Sequence, residues 1–548
     1  MPGFGFGTGF AFLTRRPAGG SPAPAPGTTL YSIPNAMDVR IEPTFTTNTV
    51  DGSNRITLVP DMNGLADMTP ISTGAVPPGG APKLVTDAWG RKCLLFEGTQ
   101  AAQLADTLAS YTGNTCTVIA IVRYLNPNGS AAQSIFSLGR NVNTPPNTLR
   151  AFMNSLGNTA SNGVAANSFP PMPCMGGKYI VNGTTVTGTE KSSGVSIGKM
   201  ICHTGLQVVA VSGAASNAAH IHMNDEYVSG MATINTGTTS VNGAEVGRYS
   251  QAPNTSTNYG SFYLYGLFVK RATMTTAQVQ ANIAAIMAAY ALDPISNQLV
   301  IEGDSRFADF GLTSTSLSPS LNFGTFFTEP GKPYCLPTSW RVVQLARGGS
   351  KILADTGATG TDLDKGLSNR RDYANNSFFT SRWKLGGRNV VALETFYNDA
   401  GDTGSGYVSA TGSTARGDEI YTRLQALVDT DATSYLSKGM EYLASITLPG
   451  SGTYSAALTQ LRSRFRSSNF FSDFRAQTGG VNEGKVRRAE VPLCMPIPGA
   501  WGSNVLDTSL GAGDARIGPY FYDQQHELPA CYPYMAQCIH DAILAAPA

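Results

Sequence analysis

Apolar positions follow two different rhythms along this chain of 548 residues. Between residues 45 and 295 they come as short alternating or continuous runs separated by turn residues. Examples are "CTVIAIVRYL" (116–125), "LQVVAVSG" (206–213), "AAHIHMNDEYVSG" (218–230) and "GSFYLYGLFVKRA" (260–272). Such runs, spaced by Asn-Gly and Pro-Gly turns, predict an antiparallel β-sandwich. One helix closes it: "TTAQVQANIAAIMAAYAL" (275–292) opens on a Thr-Thr cap and carries its apolar residues at helical spacing.

From 296 to 548 the rhythm changes. Apolar runs at 297–303, 340–346, 389–397, 439–449 and 489–498 alternate with amphipathic stretches, chiefly 416–436 and 453–477. Strand then helix, repeated, predicts a parallel sheet with helices on both faces, and in such sheets ligands bind at the carboxyl ends of the strands. Residues 1–44 follow neither rhythm. "GFGFGTGF" and "PAGGSPAPAPG" have too little apolar content for a core. This stretch reads either as a disordered tail or as an anchoring arm that orders against a partner through its phenylalanines.

Composition narrows the classes. Gly is abundant (60) and charged residues make up only 14%, as expected for a chain rich in strands and turns. The net charge is +1 with no basic block, which argues against nucleic acid as a partner. No run approaches the about 20 apolar residues of a membrane span, and the N-terminus lacks the basic region of a signal peptide. The eight cysteines form no C-x-x-C pair, so buried free thiols are expected rather than zinc or a disulfide framework. No metal or organic cofactor is implied.

Candidate chemistry begins at "QLVIEGDSRFADFG" (298–311), where an apolar run ends in Gly303-Asp304-Ser305. A serine hydroxyl becomes a nucleophile only when a base takes its proton. The half containing Ser305 has two histidines. His526 stands three residues after Asp523, a spacing that lets one loop supply both a base and the carboxylate that orients it. His540 is expected on the last helix in a structural or surface role. Oxyanion donors are available after the second and third runs: a backbone N–H at Gly348 or Gly349, and the Asn398 side-chain amide.

Bland readings apply elsewhere. "GVSIG" (194–198) fits the G-x-S-x-G elbow but lies in the β-rich half, as a chance match. His220 and His222, with Asp225 nearby, read as half-exposed strand histidines rather than a metal site. Arg306 reads as a solvated neighbour of the serine.

The order of runs from "KCLLFEGTQAAQLAD" to the helix at 275–292 resembles a concanavalin A-like (laminin-G-like) jelly-roll sandwich. Gly303-Asp304-Ser305, Gly349, Asn398-Asp399 and Asp523-x-x-His526 resemble, in order, the four blocks of the SGNH/GDSL hydrolases. That resemblance spans 296–548 and implies a flavodoxin-like α/β/α fold with serine esterase activity, often on acetylated carbohydrates. Carried over by position, Ser305 is the nucleophile, His526 the base and acid, and Asp523 its orienting carboxylate. Ser305 N–H, Gly349 N–H and the Asn398 amide form the oxyanion hole. Three departures stand out: Phe396 where the third block has glycine, no asparagine before Gly349, and Glu527 rather than proline after the histidine.

The expected organisation is therefore an arm (1–44), a lectin-like sandwich (45–295) and a hydrolase domain (296–548). The expected function is removal of acyl, chiefly O-acetyl, groups from a bacterial surface polysaccharide. Overall the chain resembles a bacteriophage tail fibre or spike. That likeness implies a virion location, a homo-oligomer (a trimer) and contacts to other virion proteins through the arm. The alternative is an adhesive glycan-binding protein whose hydrolase domain is inactive or secondary, in the virion, the bacterial cytoplasm or at the cell surface.

Overall fold

The computed structural model describes residues 25–72, 76–104, 115–125, 133–138, 148–155, 175–176, 179–181, 184–186, 205–214, 217–224, 226–228, 244–249, 258–304, 306–307, 323–344, 346, 349–353, 366–368, 386–394, 396–404, 406–446, 454–476, 484–490 and 531–545. These residues form several antiparallel sheets, one parallel sheet and a few helices, a multidomain β-rich architecture.

Four long strands carry the first antiparallel sheet: β1 (Lys92–Glu97), β2 (Thr115–Tyr124), β3 (Leu206–Ala214) and β4 (Ser261–Lys270). They lie in the order β3-β2-β4-β1, flanked by Asn217–Met223 beside β3 and Lys83–Thr86 beside β1. A second sheet includes Gln133–Leu138, Ala244–Val246, Ala102–Leu104 and Met68–Pro70 as neighbours. The two sheets share a core of Val118, Ala120, Val122, Phe262 and Leu264 from the first and Ile135, Phe136, Leu104 and Val246 from the second. That face-to-face packing is a sandwich.

Strand β2 shows why its sequence is an unbroken apolar run. Alternate residues point to opposite faces. Val118, Ala120 and Val122 enter the inter-sheet core, while Ile119 and Ile121 pack outward with Val279, Ile283, Ile286 and Met287 of helix α1 (Thr276–Ala289). Both faces are covered, so neither can be polar. Helix α1 begins at Thr275, whose hydroxyl accepts from Gln278 N–H while the Gln278 side chain returns to the Thr275 backbone. This reciprocal capping box fixes the helix start that the Thr-Thr pair signals.

One expectation needs correction here. Part of the stretch assigned to the arm belongs to the sandwich. Val39–Ile41 is a strand paired antiparallel with β4, and Met37, Val39 and Ile41 are buried. Gly27 N–H bonds to Ala289 O at 2.8 Å, at the end of α1. Local composition concealed this because a three-residue edge strand needs only its partner's surface.

The parallel sheet is built from β5 (Asn297–Gly303), β6 (Trp340–Gln344), β7 (Asn389–Glu394), β8 (Glu441–Ile446) and β9 (Val486–Glu490), in the spatial order β6-β5-β7-β8-β9. All four pairings are parallel. Helices α2 (Thr414–Gln425) and α3 (Ser455–Arg466) share one core with Val300, Val391 and Leu393. Helix α4 (Tyr532–Leu544) and the turn Phe323–Thr328 share the opposite one with Leu299, Ile301 and Ala392. The sheet is therefore covered on both faces, as its continuous apolar strands require. The expected helix over 416–436 is α2 followed by a π-helical turn, Ala426–Thr430. The last strand begins earlier than the run at 489–498, at Val486.

Cys93, Cys335, Cys531 and Cys538 are free thiols, all but Cys335 buried. Among the described residues no helix is long and apolar enough to cross a membrane.

Candidate active site

The chain leaves β5 inside the sheet, with the edge strand β6 on one side and β7 on the other. The carboxyl ends of these three strands meet there, at the point where strand order reverses. Gly303 ends β5 beside Glu394, the last residue of β7. Its φ is +151°, and a Cβ on it would lie 1.8 Å from the Glu394 carbonyl oxygen. Only glycine permits this approach. Asp304 follows, and its N–H donates to that same carbonyl at 3.1 Å.

Asp304 is buried and organises the corner. Its Oδ1 accepts Arg306 N–H at 3.0 Å, and its carbonyl accepts Phe307 N–H at 3.2 Å, closing a tight turn. Its Oδ2 accepts the Asn398 amide at 3.3 Å, and the same Asn398 nitrogen donates to Ser350 O at 3.1 Å. Thus the segments after β5, β6 and β7 are joined through one side chain. Gly349, immediately before Ser350, is exposed and has φ +78°, a conformation that favours glycine. Both Asn398 amide hydrogens are engaged, so a substrate oxygen would have to displace the longer bond, to Asp304.

The structure thus brings Asn398 together with the segment carrying Gly349. Ser305, Asp523 and His526 lie outside the described residues, as do Gly348, Glu527, Asp225 and the 194–198 segment. His540 lies on α4, with Nδ1 3.0 Å from Asp541 Oδ1.

Two readings are corrected. Arg306 is not solvated: its side chain is only 5% exposed, 3.7 Å from Glu394 Oε1. Its guanidinium lies 5.6 Å from the Tyr397 ring centroid. His222 is buried rather than half-exposed. No group of three or more metal-ligating side chains occurs among the described residues.

The third block departs from glycine at Phe396, yet the backbone keeps a glycine-like conformation, with φ 63° and ψ −32°. A non-glycine residue in this sparsely populated region stores about 1–3 kcal/mol. Burial of the Phe396 ring, 5.5 Å from Phe465, offsets this strain. Two and three residues further on come Asn398 and Asp399, on the short helix Tyr397–Gly401. Asp399 is fully buried. It accepts Ile352 N–H at 3.0 Å and the Tyr407 hydroxyl, which ties the segment after β6 to the segment after β7 a second time. Burial pushes its carboxyl above the ordinary range, against the pull of the Tyr407 and Ile352 hydrogen bonds. Asp402 reinforces the shift and Lys351 opposes it.

Sequence reasoning missed Glu394 and Tyr407. The first had a signal: a carboxylate ending the apolar run "NVVALE". The second had none, because Tyr407 reaches Asp399 from a loop.

No family model and no curated protein match the sequence. Among solved structures, a Trypanosoma rangeli sialidase in complex with the inhibitor DANA is 10% identical at a TM-score of 0.27, covering 46% of this chain and 33% of that one. Domain 4 of the arabinanase AbnA from Geobacillus stearothermophilus, in complex with arabinotriose, is 14% identical at 0.29, covering 45% and 98%. The receptor-binding domain of a botulinum neurotoxin C/D mosaic serotype is 6% identical at 0.27, covering 48% and 55%. This chain thus spans about a third of the length of the sialidase it matches.

Two outcomes are expected. Phe396→Gly should be destabilising in chemical denaturation, because losing a buried phenylalanine costs about 3–5 kcal/mol and relief of strain returns about 1–3; a stabilised variant would contradict this balance. Asp399 has a folded-state pKa above its unfolded value, so its contribution to stability is present at low pH and is lost as pH rises through the folded value. The unfolding free energy of the wild type should therefore fall relative to Asp399→Asn as pH rises above the ordinary carboxylate range. A difference independent of pH would show that Asp399 is not held in this way.

Proposed function

We propose that residues 296–548 form a serine esterase of the SGNH type, with a flavodoxin-like sheet, acting on an acylated carbohydrate. The observation that carries this is the joining of three strand ends by Asn398, which bonds both Asp304 beside Ser305 and Ser350 beside Gly349. The strand order, second-first-third-fourth-fifth, agrees with it. A further support concerns the two halves of the triad. Phe307, two residues after Ser305, stacks on Phe323 at 5.0 Å. Tyr532, six residues after His526, meets the same ring at 5.4 Å. The described neighbours of nucleophile and base thus share one aromatic cluster.

In this mechanism His526 takes the Ser305 proton as Oγ attacks the ester carbonyl carbon. Asp523 holds the imidazole and stabilises its charged form. Gly349 N–H, Ser305 N–H and the Asn398 amide receive the developing oxyanion. His526 then passes its proton to the leaving sugar oxygen, and water attacks the acyl-enzyme by the reverse sequence. The substrate in keeping with the sequence resemblance is an O-acetylated surface polysaccharide, and the setting is a phage particle in which the chain is a homo-oligomer.

Hydrolysis of 4-nitrophenyl acetate tests the chemistry. Ser305→Ala and His526→Ala should each lose at least about 10²–10⁴-fold in kcat/KM. Asn398→Ala should lose about 10²-fold or more in kcat. Undiminished activity in either triad variant, with the fold intact by circular dichroism, rules the assignment out.

A further inference from the structure

A concavity lies where the sandwich meets the parallel-sheet half. Its floor is the outer face of the first sheet. Tyr263 and Tyr265 stand two apart on β4 and so point the same way. Arg123 on β2 is the register partner of Tyr263. The roof is the turn bearing Glu329, Pro330 and Lys332. Gly331 seats that turn: its φ is +76°, and a Cβ on it would come 2.9 Å from Ala88 Cβ. The enclosed volume is about 340 Å³, toward the lower end of small-molecule sites, which run from about 300 to 1,000 Å³.

Arg123 dominates the cleft. It is only 6% exposed. Its Nη2 donates across the junction to Thr325 O at 2.6 Å, and its guanidinium lies 5.6 Å from the Tyr263 ring. Its Nε–H has no hydrogen-bond partner among the described residues. A buried charged donor without an acceptor is costly, and the guanidinium edge matches a carboxylate.

The remaining groups narrow the ligand. Asp87 is held by Arg91 at 2.6 Å, and Glu329 accepts the Tyr334 hydroxyl at 3.0 Å. Two carboxylates thus face two cations, Arg123 and Lys332, the latter 3.9 Å from Glu329, so the cleft has no cationic excess for a polyanion, while the carboxylates accept hydrogen bonds from hydroxyl groups. The tyrosine rings offer flat apolar faces. Burial pushes the Cys93 thiol up to about 12, so at neutral pH it is an uncharged wall and not a nucleophile.

We propose that this cleft binds a sugar acid: a polyhydroxylated ring with one carboxylate held by Arg123, its apolar face against Tyr263 and its hydroxyls on Glu329. The site is separate from the Ser305 chemistry and does not depend on it.

Calorimetric titration of the full chain with glucuronate, galacturonate and mannuronate, each against its neutral parent hexose, tests this. At least one uronate should bind saturably, and its neutral parent at least about tenfold more weakly. Arg123→Gln and Tyr263→Ala should each weaken uronate binding by about tenfold or more. Tyr263 is half-buried, so its variant decides the matter if loss of the Thr325 contact unfolds Arg123→Gln. No saturable binding of any uronate, equal binding of the parent hexose, or full affinity in the Tyr263 variant overturns the proposal.

Discussion

The close approach of Gly303 to the Glu394 carbonyl is the constraint on which the candidate active site depends. A parallel sheet brings strand ends together only as closely as their side chains allow. Here the last residue of β5 has none, so the Asp304 N–H reaches the end of β7 directly. That one bond sets the position of Asp304, and Asp304 in turn fixes Arg306, Phe307 and Asn398. Asn398 then reaches across to Ser350. A side chain at 303 would move the corner from which every later contact is measured.

Both halves of the molecule solve the same packing problem with different material. Sheets covered on two faces need strands that are apolar throughout, and the coverings differ. In the sandwich a second sheet and helix α1 enclose β2 and β4. In the parallel half, α2 and α3 cover one face and α4 the other. Phe396 shows how such packing pays for local strain: a buried ring holds a backbone conformation that phenylalanine alone disfavours.

What was legible in the sequence followed from periodicity. The run "NQLVIEG" is β5 to the residue, and the Thr-Thr start of α1 is a capping box. Asn398 was legible as a neutral donor after an apolar run. Less legible were features set by distant partners. Arg306 looks like a solvated charge because nothing nearby in sequence reveals Glu394, which only the β5–β7 pairing brings beside it. Val39–Ile41 sits in a low-complexity stretch because its order comes from β4. The bond from Tyr407 to Asp399 depends on a loop path that no local pattern encodes. The cleft at Arg123 belongs to two segments far apart in the chain, and a single arginine in a strand gives no hint of it.

The proposed role of Ser305, which follows Asp304 in the sequence, is that of an activated nucleophile. Covalent labelling of the folded chain with a fluorophosphonate, followed by peptide mass spectrometry, measures this directly. A single adduct on Ser305, lost in His526→Ala, is the result that an activated serine predicts. No adduct, or an adduct on a different serine, would contradict it.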